Sequence, residues 1–197
     1  MSGPKLSQLE AEMRKRLGVA AFEHSLRTSE MAGRLARLHG ADETQAMIAG
    51  LVHDVAKDLT DARLLERARA FGFDIDPVEA DKPYLLHAAV GAKILTMELG
   101  IEDKMILSAV AKHTFGDTNM DKLDRIVYLA DVIEPWRAFS GLDEIRKLAE
   151  TSLDRAFVAA YKGQLIFIIE KGGYLHPRTL QVWNRIASEV NGDSGTN

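Results

Sequence analysis

The sequence predicts an all-α protein folded as a single-domain helical bundle, and three observations lead there. Apolar residues recur at three- and four-residue steps along most of the chain, and strand-like alternation is almost absent. Glycines and prolines punctuate the helical windows. With 197 residues, of which 46% are hydrophobic and 27% charged, the chain can bury one sizeable core, whereas two separate domains would each be small.

Leu6, Leu9, Met13 and Leu17 mark a first amphipathic helix that Gly18 stops, so residues 1–17 are expected to pack as an N-terminal helix on a domain covering 18–190. A second helix runs from Val19 to His39, with His24, Thr28, Met31, Leu35 and Leu38 on one face and Gly40 as its end. Asp42 followed by Gln45 has the form of a capping box and opens a third helix through Gly50, Leu51 and Val55. A fourth covers Asp61–Phe71 and closes at Gly72. Phe73–Lys82, bracketed by Pro77 and Pro83, reads as a loop with room for a short helix.

Helical patterns resume over Leu85–Leu99, Glu102–Lys112, Asp121–Ile133, Asp143–Lys171 and Pro177–Val190. Pro135 stops the third of these and Gly172-Gly173 the fourth. The β-rich run Leu165–Ile169 has no partner strand, so it is expected to be buried helix. The polar stretch 191–197 is expected to be a flexible tail.

Composition narrows the function. The net charge is −4 with no long basic run, which argues against a DNA-binding module. No cysteine is present, so disulfides, thiolate metal sites and cysteine nucleophiles are excluded. A transition metal must then be held by histidine and carboxylate, a donor set that suits iron or manganese. Met1–Leu9 lacks a signal-peptide core, and no apolar run approaches the roughly 20 residues of a membrane span. A cytoplasmic protein with no membrane contact is expected, and an apolar helix face can support a homodimer.

Four of the six histidines fall on apolar helix faces. His24 shares the face just described. His53 continues the line Ala46, Ala49 and Ala56; His87 leads Val90 and Ile94; His113 follows Ile106 and Val110. A lone buried imidazole is usually a hydrogen-bonded core residue, but four in one small domain are satisfied together by a metal centre. Asp54 directly follows His53, so the two side chains diverge by about 100° on a helix and Asp54 can bridge to a second ion. Asp131 lies in the apolar stretch Val127–Ile133, where a carboxylate needs positive charge, either a metal or a buried arginine.

In order along the chain, His24, His53-Asp54, His87, His113 and Asp131 resemble the signature of dinuclear HD-domain phosphohydrolases. The strings EHSLRT, AGLVHDVAKDL, HAAVGAKI, AKHTFGDTNM, LADVIEPWR and GGYLHPRTLQVWN narrow the resemblance to the bacterial YqeK family of symmetrical diadenosine tetraphosphate (Ap4A) hydrolases. It runs from about Leu17 to Asn184 with every ligand present. It implies a single HD domain, a dinuclear centre, most naturally of iron, and cleavage of Ap4A into two ADP. By motif, His24, His53, Asp54 and Asp131 would bind one ion, and His87 and His113, with Asp54 bridging, the other.

The chemistry expected is attack on a β-phosphorus by a hydroxide bridging the two ions, with ADP leaving and no protein nucleophile. Lys57, three residues after Asp54, is expected either to contact phosphate or to be a solvated helix-end lysine. Arg137 either reaches a distal phosphate or lies on the surface, and Arg27, three residues after His24, is expected to orient near the site as a substrate-binding residue. Glu134 either fixes a ligand or pairs with an arginine; Thr114 either binds phosphate or caps its helix. His176 contacts the nucleotide or shapes a turn, while His39 reads as a surface residue. Trp136 and Tyr84 can stack on adenine or simply pack. Besides Ap4A hydrolysis, two functions stay open: hydrolysis of another nucleotide phosphate ester or anhydride, and non-catalytic sensing of ADP or GDP.

Overall fold

The computed structural model describes residues 5–193, which form eleven α-helices and one 3-10 turn, with no strand among the described residues. In chain order the helices are α1 (Leu6–Arg16), α2 (Val19–His39), α3 (Glu43–Val52), α4 (Asp61–Ala70), α5 (Pro77–Asp81), α6 (His87–Leu99), α7 (Lys104–Lys112), α8 (Lys122–Ile133), α9 (Leu142–Ala149), α10 (Leu153–Glu170) and α11 (Pro177–Asp193). The 3-10 turn, Pro83–Leu86, leads into α6.

α2 ends where a left-handed Gly40, at φ 67°, turns the chain without a Cβ penalty. It packs along α3 and α8, and α7 closes the group against α3, α6 and α8. The backbones of α2 and α3 come close at Gly50, where a Cβ would lie 2.9 Å from both Ser29 Cα and the Thr28 carbonyl oxygen. Only glycine lets α3 lie that close to α2. Leu35, Leu51, Leu95, Ile126 and Leu129 fill the core between these helices.

Several boundaries differ from those the sequence predicts, each for a local reason. α3 stops at Val52, and the chain continues in tight turns, with Val55 N bonded to Val52 O and Lys57 N to Asp54 O. The predicted capping box is only half formed: Asp42 accepts from Gln45 N, but the Gln45 amide bonds to Asp103 across the gap to α7. The long helix expected over 143–171 is two helices, because Ser152 breaks the run and caps α10 through Arg155 N. Leu165–Ile169 is helical, but only Leu165 of it is buried; Ile166, Phe167 and Ile169 are 45%, 57% and 61% exposed. Leu38 is exposed as well, off the face it was expected to share. α11 runs to Asp193, into the expected tail, and residues 194–197 of that tail lie outside the described residues.

Candidate metal centre

The six predicted ligands come from five segments and meet between α2, α3, α6, α7 and α8. His24 projects from α2, His53 and Asp54 from the end of α3, His87 from the first turn of α6, His113 from the end of α7 and Asp131 from α8. His53, Asp54, His87 and His113 are buried.

Three of the imidazoles are aimed by one local device. Nδ1 of His53 bonds to Gly50 O at 2.7 Å, Nδ1 of His87 to Tyr84 O at 2.6 Å, and Nδ1 of His113 to Val110 O at 2.8 Å. A carbonyl oxygen only accepts, so Nδ1 carries a proton, and each ring in its neutral form presents an Nε2 lone pair. His24 is oriented from another helix: its Nδ1 lies 3.2 Å from Oε1 of Glu134. The sequence alone left Glu134 between two roles, and it fills both. Its Oε2 accepts from Arg27 Nε at 2.7 Å and from the Trp136 backbone N–H at 2.9 Å. Burial works to raise the Glu134 carboxyl, but Arg27, that N–H and His24 outweigh it and hold it below the ordinary range.

The inward-facing atoms are nearly all acceptors. Nε2 of His24 lies 2.9 Å from Oδ1 of Asp131, and Nε2 of His87 lies 3.0 Å from Nε2 of His113. Asp54 divides its carboxylate between two pairs of rings. Oδ2 faces His53 at 3.4 Å and His24 at 4.0 Å; Oδ1 faces His87 at 3.2 Å and His113 at 3.4 Å. His53 Nε2 and Asp54 Oδ1 are buried without a hydrogen-bond partner. Lone pairs crowded this closely repel unless a cation lies among them, so the residues fit a bound metal.

Electrostatics agree. Burial opposes charge on Asp54, yet His53, His113 and His87 hold its carboxyl well below the ordinary range. Burial likewise opposes charge on Asp131, and His24, His53 and Arg137 overcome it, so that carboxyl also stays ionised. Burial would lower the pKa of His53, but Asp54 and Asp131 raise it: the centre attracts positive charge. Burial pushes His113 down to about 4, which keeps it neutral and available as a ligand near pH 7. His24, His53 and Asp131 offer atoms all within 4.8 Å of one another, as do His53, Asp54 and His113. His87 joins the second group through Asp54 and His113.

The other nominated residues divide. Lys57 Nζ lies 3.7 Å from Asp54 Oδ1, with its side chain 47% exposed. Arg137 donates to the Asp131 carboxylate, so the arginine and metal readings of Asp131 are not exclusive. Arg27 is held by Glu134 and lies over the Trp136 ring at 4.0 Å. Trp136 and Tyr84 are exposed rather than packed in the core. Thr114 does not act as the helix cap considered for it: its Oγ1 lies 3.2 Å from His87 Nε2 and 3.4 Å from His113 Nε2. His39 is half-buried and bonds to Ala149 O, so it is not a free surface residue.

His176 is buried away from the six ligands, stacked on Phe115 with ring centres 4.2 Å apart. With Thr114 and Tyr84 it lines a cavity of about 460 Å³. Sequence reasoning missed Asp58, whose Oδ2 accepts from Gly18 N at 2.6 Å and ties the start of α2 to the chain just after the His-Asp pair. The spacing from Asp54 offered no signal for it, because the contact spans 40 residues.

Comparison with known proteins gives a consistent picture. A family model described as the HD domain matches residues 21–136. The symmetrical bis(5'-nucleosyl)-tetraphosphatase of Halalkalibacterium halodurans is 37% identical over 170 residues, covering 85% of this chain and 89% of that protein. The protein of the same name from Bacillus subtilis is 36% identical over 172 residues, again covering 85% and 89%. The crystal structure of a Clostridium acetobutylicum protein described as a predicted HD superfamily hydrolase superposes with a TM-score of 0.90 at 35% identity, covering 95% of this chain and 100% of that one.

Proposed function

The chain belongs to the HD-domain family, and from that premise we propose that it hydrolyses diadenosine tetraphosphate symmetrically, Ap4A and water giving two ADP, at a divalent-metal centre. The observation that carries this reading is the division of the Asp54 carboxylate between His24 and His53 on one side and His87 and His113 on the other. That geometry supports two ions with Asp54 between them. His24, His53 and Asp131 would complete one coordination sphere, and His87 and His113 the other.

Cations held there would neutralise charge on the phosphoryl oxygens and acidify a water at neutral pH. The chain's own residues do the rest. Glu134 and the carbonyls of Gly50, Tyr84 and Val110 hold the four rings in one tautomer, so that none has to rotate during turnover. Lys57, half-exposed beside Asp54, can swing its ammonium onto the phosphate chain and offset the charge that grows on departing ADP. Arg137 is placed to do the same from the side of Asp131. Arg27 contributes through Glu134 rather than by direct contact. Water supplies the oxygen that ends on one ADP; the other ADP leaves with the bridging oxygen.

Iron is the ion that the family resemblance implies, and imidazole and carboxylate donors without thiolate suit iron or manganese. A nucleotide substrate in the cytoplasm, rather than DNA, belongs to the same reading. The test combines elemental analysis of the purified protein with product identification on Ap4A. Two ADP together with bound metal is the expected result. AMP plus ATP rejects symmetrical cleavage, and tight ADP binding without turnover turns the protein into a sensor.

A further inference from the structure

We propose that the cavity beside the metal centre, walled by Tyr84, Phe115, Tyr174 and His176, is the seat of one nucleoside of the substrate. The proposal rests on the hydrolase reading above and adds where the nucleotide is recognised.

Two chain segments link the cavity to the centre. The carbonyl of Tyr84 accepts from His87 Nδ1 at 2.6 Å, while the Tyr84 side chain lines the cavity. His113 is followed directly by Thr114 and Phe115, which both line it, and Thr114 Oγ1 lies 3.2 Å from His87 Nε2. Each segment that aims a ligand at the second ion therefore also delivers an aromatic ring to the cavity wall. A molecule filling this space has one end at Thr114, beside Nε2 of His87 and His113, and the other among aromatic rings. A nucleoside phosphate has that polarity, with anionic phosphates at one end and a flat base at the other.

Size and chemistry agree with the assignment. The cavity holds about 460 Å³, within the roughly 300–1,000 Å³ of small-ligand pockets. Phe115 and His176 stack nearly parallel, at 20°, and present a flat double layer. Tyr84 and Tyr174 are 55% and 64% exposed, an arrangement suited to stacking on a base rather than to core packing. His176 is 6% exposed; its Nδ1 accepts from Arg178 N, so Nε2 carries the hydrogen. That Nε2 has no hydrogen-bond partner, with Glu79 the nearer carboxylate at 3.7 Å. A buried polar atom without a partner in the wall of a cavity is a group that a bound ligand can complete.

The experiment is calorimetric titration of the metal-loaded protein with ADP and, separately, with pyrophosphate, which carries phosphates but no nucleoside. Tyr84→Ala and Tyr174→Ala remove exposed rings and should not disturb folding. ADP affinity is expected to fall about 10-fold in each variant, with KM for Ap4A rising and pyrophosphate affinity unchanged. Two results overturn the proposal: ADP affinity unchanged in both variants, or ADP and pyrophosphate affinities falling together. If either appears while the wild type still yields two ADP from Ap4A, the nucleoside site alone is wrong. If the wild type yields no ADP from Ap4A, the hydrolase reading fails and this assignment falls with it.

Discussion

Glu134 Oε1 lies 3.2 Å from Nδ1 of His24, joining the residue just past the end of α8 to an inward-facing imidazole on α2. The other three imidazoles are aimed by a carbonyl three residues earlier in their own segment, so His24 alone depends on a distant side chain for its orientation. Outer carboxylates of this kind fix the tautomer and raise ligand basicity. Glu134→Ala is therefore expected to weaken metal binding by about 10- to 100-fold. Glu134→Gln keeps an acceptor and should recover much of the loss. Metal titration of both variants decides the matter, and wild-type affinity in the alanine variant would contradict the role.

Asp54→Ala removes the one carboxylate shared by both ring pairs. Bound metal should drop, and turnover should fall by about 1,000-fold or more, with helix content by circular dichroism unchanged. Near-wild-type turnover would show that the catalytic centre lies elsewhere.

Lys57→Ala separates catalysis from metal retention. Nζ stands 3.7 Å from Asp54 Oδ1 but is not among the inward-facing acceptors, so metal content should be kept. The rate should fall by about 10- to 100-fold, as expected when one cation is taken from a developing charge. Joint loss of metal and rate would make the lysine part of the metal site instead.

Gly50→Ala puts a methyl group 2.9 Å from the backbone of Ser29 and Thr28, where no flexible side chain can yield. Forcing α2 and α3 apart should destabilise the fold by about 1–3 kcal/mol, measured by urea unfolding. Because Gly50 O also holds His53, metal affinity should decline as well. A variant of wild-type stability would mean that the two helices are not in such close contact.

Tyr161 controls a pH response away from the metal. Burial pushes its phenol well above the ordinary value of an exposed tyrosine, about 10. Its folded pKa lies above the unfolded one, so this contribution is fully present below about pH 10 and is lost as pH rises above it. Stability should therefore fall progressively above about pH 10. Tyr161→Phe loses the hydrogen bonds to Phe115 O and Thr179 O and starts less stable, but its decline above pH 10 should be shallower. Equal slopes in denaturant unfolding at pH 9 and 11 would refute the assignment.

What the sequence determined by itself was the helical character of the chain, most helix ends and the identity of the six inward-facing residues. These are local properties: periodic apolar faces, left-handed glycines such as Gly40, and imidazoles placed where only a paired polar group is tolerated. The tertiary structure decided what depends on residues far apart in the chain. Gln45 could not be seen to leave its own helix cap for Asp103, nor Glu134 to reach His24 across 110 residues. The exposure of Ile166, Phe167 and Ile169 likewise follows from which helices happen to cover α10, which local composition does not encode. The joining of Tyr84, Thr114 and His176 around one cavity has the same cause, since three segments must fold together before that space exists.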